Sequence, residues 1–63
     1  MIVRVEEVRN TDIVLVIDEV SKYIGKMHFA DFAECILPDT EPIEEDEYLF
    51  WRVDKNMLNK KLQ

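Results

Sequence analysis

A chain of 63 residues with 14 acidic and 8 basic side chains carries a formal net charge of -6, and 48% of it is hydrophobic against 35% charged. That balance fits one small folded domain over residues 1–63 and not a disordered tail, and a domain of this size hides only roughly 60% of the surface its unfolded chain exposes. No apolar run nears the roughly 20 residues that cross a bilayer, and one cysteine with one histidine makes neither a disulfide nor a zinc set, so we expect a cytoplasmic protein with no membrane anchor, metal or cofactor.

In IVRVEEV, residues 2–8, Val3 and Val5 fall on one face and Arg4 and Glu6 on the other, the alternation of a half-buried strand. RNTD supplies turn residues, and IVLVI, residues 13–17, is an unbroken aliphatic run suited to a central strand covered on both faces. Together they read as a hairpin. The pattern lapses over residues 18–22 and resumes in KYIGKMHF as a third strand, with the single glycine, Gly25, marking a bulge or tight bend and Met27 and Phe29 filling the core. Phe29, Phe32, Ala33 and Ile36 then fall at i, i+3, i+4 and i+7, and Pro38 would end such a stripe, so the spacing predicts a short helix over residues 30–37. Within it, Cys35 reads as a small buried apolar side chain.

PDTEPIEEDE, residues 38–47, holds both prolines and six acids and reads as a loop. Its dense end, Glu44, Glu45, Asp46 and Glu47, is either solvated surface or an electrostatic footprint for a basic partner. YLFWRV, residues 48–53, is a strand in which Trp51 supplies core bulk. The tail DKNMLNKKLQ, with Met57, Leu58 and Leu62, suits either a last edge strand or a helical turn.

Catalytic arrangements are missing from this pattern. Nucleophilic catalysis needs an activated side chain with a base and an orienting group, and no motif joins Cys35 or Ser21 to His28. Carboxylates are plentiful, but a flexible charged loop cannot hold two at the fixed separation that hydrolysis requires, and no glycine-rich loop cradles a phosphate. We expect no enzyme.

The order of elements, a hairpin, a third strand running into a helical turn, a loop and a final hairpin, is that of a five-stranded OB barrel. GKMHFADF, residues 25–32, resembles the signature of the ribosomal-protein-S-one type of RNA-binding OB domain, in which a glycine is followed by two mostly apolar positions, a histidine, an apolar residue, a small residue, an acid and an apolar residue; only Lys26 departs. VEEVRNTDIVLVI is similar to that family's first hairpin, with Val5 and Val8 as its paired apolar positions, and RVDKNMLNKKL to its closing hairpin through Asp54 and Leu62. RVDK also resembles the corresponding hairpin of the alpha subunit of eukaryotic initiation factor two. The resemblance implies a mostly β fold, a small five-stranded OB-like barrel with one short helical turn, and an RNA-binding face built on His28 and Asp54, to which Lys26 and Lys55 add positive potential. The sequence departs from the family in two places. Thr11 and Val14 stand where aromatic rings would stack on bases, a contact worth about 1 to 3 kcal/mol per base, and Leu58 or Asn59 stands where an arginine is expected. If residues 30–37 and the tail from Lys55 are both helical, the fold is instead a small α+β domain, a hairpin plus a strand with two short helices.

Two functions follow as expectations. The first is a stand-alone OB module in RNA metabolism or translation, a monomer or small homo-oligomer, binding RNA weakly or docking on an RNA-handling protein. The second is a small acidic inhibitor or mimic, viral or accessory, that uses Glu44, Glu45, Asp46 and Glu47 to occupy a basic surface of a partner protein.

Overall fold

The computed structural model describes residues 1–62 as β1 (Ile2–Glu7), β2 (Ile13–Asp18), β3 (Tyr23–His28), α1 (Phe29–Cys35), β4 (Ile43–Glu45), β5 (Tyr48–Arg52) and α2 (Lys55–Lys61). The strands pair antiparallel in one sheet of order β3-β2-β1-β5-β4. The fold is mostly β, as expected. The sheet is open, with β3 and β4 as its two edges.

Alternation in β1 and β2 sorts side chains as the sequence pattern requires. Val3, Val14 and Val16 are buried with Met27, Phe32, Cys35, Val53 and Leu58 in a core between one sheet face and the two helices, and Val5, Trp51 and Leu62 pack against it. Arg4 and Glu6 share the opposite face of β1. At Gly25 the β2–β3 register slips: Val16 opposes Gly25 while Ile17 opposes Tyr23, leaving Ile24 as the extra residue of a bulge.

Three expectations need correction. First, α1 spans Phe29–Cys35 and not residues 30–37, and its buried face is Phe32 and Cys35, three residues apart. Phe29 is 52% exposed and fills no core. It begins the helix beside the β1–β2 turn, where its N–H donates to the Asp12 carbonyl at 2.8 Å and the side chain borders Thr11 and Asp12. Ile36 already has extended backbone and bridges to Val53.

Second, residues 38–47 are not all loop. Ile43–Glu45 forms β4, pairing Ile43 with Phe50, Glu44 with Leu49 and Glu45 with Tyr48. Ile43 gains an aromatic cross-strand neighbour, the kind of pair that stabilises a short antiparallel ribbon.

Third, the closing hairpin implied over residues 52–62 is not formed, because the tail is helix α2. Asp54 caps it, its Oδ1 accepting from the Met57 N–H at 3.1 Å, while Leu58 is buried and Lys60 and Lys61 sit in the last turn, where cations suit the helix dipole. Lys61 ties α2 to α1 through Glu34 at 2.7 Å and Asp31 at 3.4 Å. Helical character in both segments is what the α+β alternative required, with five strands in place of three.

Candidate functional site

Strand β5 pairs with β1 only at Ile2 with Arg52 and Val3 with Trp51; from Phe50 back to Tyr48 it pairs with β4 instead. Strand alternation sets Ile2 and Arg4 of β1, Tyr48 and Phe50 of β5, and Ile43 and Glu45 of β4 on the sheet face away from the helices. With Glu19 and Ser21 from the β2–β3 turn and Asp46 from the β4–β5 turn, these residues line a cleft of about 390 Å³. That volume lies at the lower end of ligand sites, roughly 300–1,000 Å³.

Arg4 runs beneath this cleft with only 8% of its surface exposed. Its Nη1 donates to Glu6 Oε1 at 2.8 Å, and its guanidinium lies 4.2 Å from the Tyr48 ring centroid. Phe50 meets Tyr48 edge-on, with centroids 6.4 Å apart and planes at 81°. Such a cation over a ring contributes about 0.5 to 2 kcal/mol, and the carboxylate of Glu6 offsets the cost of burying the charge. Among the described residues no side-chain nitrogen or oxygen is buried without a partner. The Arg4 nitrogens not bonded to Glu6 therefore keep at least slight contact with solvent.

The rim of the cleft is acidic, with Glu19, Glu45 and Asp46 around that single guanidinium. The hairpin turn between β4 and β5 consists of Asp46 at φ 51° and Glu47 at φ 71°. Positive φ at both central residues is the mark of a type I′ turn, which ordinarily takes Asn-Gly because a β-carbon is strained there. Glu44, Glu45, Asp46 and Glu47 thus sit, all exposed, on a hydrogen-bonded hairpin, with Glu44 on the face opposite Glu45.

The residues expected on an RNA face fall in two places. His28 ends β3 at the N-cap of α1, without a side-chain capping bond, and Lys26 lies two residues before it on the same strand face. Asp54 caps α2, and its N–H donates to the carbonyl of Cys35 at the far end of α1. A helix of seven residues spans about 10 Å, so α1 separates His28 from Asp54 and its neighbour Lys55. Asp54 also has a structural duty as a cap. Of the two positions where rings would be expected, Val14 is in the core.

Arg4, Glu19, Tyr48 and Phe50 escaped sequence reading. Arg4 gave one signal, a lone cation inside an apolar alternation; Glu19 is brought to the cleft by topology alone. Cys35 is fully buried, its Sγ 3.4 Å from the Asp31 carbonyl, and burial pushes its thiol above the ordinary value, which disfavours the nucleophilic thiolate. Among the described residues no group of three or more His, Cys, Asp or Glu is arranged to hold a metal ion, and no helix is long and apolar enough to cross a membrane. No family model, curated protein or solved structure matches this chain.

Proposed function

We propose that this chain is a non-enzymatic docking module whose acidic hairpin occupies a basic surface of a partner protein, the action of a small inhibitor or mimic. The observation that carries the reading is the concentration of Glu44, Glu45, Asp46 and Glu47 on a two-stranded ribbon tied into the sheet, where Glu19 lines the same cleft as Glu45 and Asp46. A ribbon holds its charges in fixed relation, so less ordering entropy is lost on docking than with a mobile loop. A net charge of -6 steers such an encounter, with rate gains on the order of 10 to 10³ at low salt. The test is capture of a basic partner from nuclease-treated lysate with the wild-type chain and with Glu44→Gln/Glu45→Gln/Asp46→Asn/Glu47→Gln. Loss of the captured protein with the neutralised chain is expected; undiminished capture would sink the reading.

RNA binding is the second reading, supported by the resemblance of residues 25–32 to the S-one-type signature and by the β-meander, the bulge at Gly25 and the helix that follows β3. On this reading the open sheet is a variant of the OB barrel, with Lys26 and His28 as one contact patch and Asp54 and Lys55 as another. Titration with single-stranded RNA at low salt tests it, and the predicted salt slope is shallow because few phosphates would be met.

A further inference from the structure

The cleft beside the hairpin offers more than negative charge. Its walls are apolar and aromatic, from Ile2, Ile43, Tyr48 and Phe50, while its rim carries the carboxylates of Glu19, Glu45 and Asp46. Beneath them Arg4 is more than nine-tenths buried, uses one nitrogen on Glu6 and keeps its other side-chain nitrogens in slight contact with solvent. An occupant must therefore present an aliphatic or planar stem, a positive charge and a hydrogen-bond acceptor close together.

An extended basic peptide does so. We propose that the cleft anchors one arginine or lysine side chain of the partner, its stem against Tyr48 and Phe50 and its charge among Glu19, Glu45 and Asp46, while a neighbouring main-chain carbonyl accepts from Arg4. Charge complementarity selects this occupant, since the carboxylates outnumber the lone guanidinium, which Glu6 already neutralises. The inference rests on the docking reading and names the point at which the partner's basic surface is gripped. A phosphate or an acidic peptide would meet the rim carboxylates first and be repelled.

Two-dimensional amide NMR of the full chain, titrated with a blocked pentapeptide Ala-Arg-Ala-Arg-Ala and with its citrulline counterpart, tests the proposal. The arginine peptide is expected to shift the amides of Ile2, Arg4, Glu19, Ser21 and Tyr48, and the neutral citrulline peptide to leave them unmoved. Glu19→Gln and Glu45→Gln should each weaken binding by up to about fivefold, as loss of one solvent-accessible ion pair does, while Glu7→Gln, outside both the cleft and the acidic hairpin, leaves it unchanged. All three sites are exposed, so the folds of these variants are checked by unchanged dispersion of the same spectrum. Shifts centred on Glu44 and Glu47 with Glu19→Gln silent would overturn the cleft as anchor and leave the docking reading standing. No shift with either peptide would also overturn the anchor, and the docking reading is then judged separately by the capture experiment.

Discussion

A β-carbon built on Gly25 would lie 2.6 Å from Cδ2 of Leu62, so the side chain that follows α2 closes over the one position of β3 without a side chain. Gly25 does not have positive φ, so close approach, and not backbone conformation, is what calls for glycine. Gly25→Ala is expected to destabilise by roughly 1 kcal/mol, the low end of overpacking, because a leucine side chain can give way. In a Leu62→Ala background the same substitution should be neutral or stabilise by about 0.4–1 kcal/mol, through the entropy it removes from the unfolded chain. Urea midpoints of the four chains decide it; additive effects would show that the two residues do not press on each other.

The β4–β5 turn is strained in the opposite sense. Asp46 and Glu47 hold positive φ with β-carbons in place, a conformation that glycine and asparagine adopt at lower cost. Replacing the pair with Asn-Gly should raise stability by about 1 kcal/mol. The expected rise in thermal midpoint would come with weaker capture of a basic partner if the acids are kept for docking. An unchanged or lowered midpoint would mean that the turn is not of the primed type.

What the sequence disclosed and what it hid divide along local and non-local lines. Alternation in residues 2–8 and the β-branched run at residues 13–17 gave β1 and β2, since the period-two pattern is set by the residues themselves. Gly25 announced its bulge. By contrast β4, only three residues long and two-thirds acidic, has no strand-like composition and exists because Ile43 lies opposite Phe50. The tail looked like strand or helix equally; the Asp54 cap and the burial of Leu58 between α1 and the sheet resolved it. The four acids were visible as a run, but the cleft was not, because Arg4, Glu19 and Tyr48 are far apart in the chain and only the strand order brings them together.

Asp54 offers a separation of structural from binding duty. As the N-cap of α2 it accepts the Met57 N–H at 3.1 Å, and Asp54→Ala should cost about 0.5–2 kcal/mol. Asp54→Asn keeps the cap oxygen and should hold most of that stability. If RNA affinity falls with Asn as well as Ala, Asp54 acts in recognition; if it follows stability alone, the cap accounts for the residue.

Alkaline pH should unfold this domain sooner than its size alone implies, and two groups at the α1–α2 junction give the sign. Burial, the main cause, raises the Cys35 thiol from its ordinary 9.0, so the folded state keeps a proton that the unfolded chain gives up first. Its contribution is complete below pH 9.0 and drains away as pH rises through the higher folded value. Lys61 follows the same sign from 10.5, raised chiefly by its hydrogen bond to Glu34 and also by Asp31, and its bridge between the helices is lost when the ammonium deprotonates. Urea midpoints are therefore expected to decline from about pH 9 upward. Cys35→Ala lowers stability at neutral pH by leaving a small cavity, yet flattens the first part of that decline, and Lys61→Met flattens the later part. A decline of the same slope in both variants would place the alkaline sensitivity elsewhere in the fold and remove these two groups as its cause.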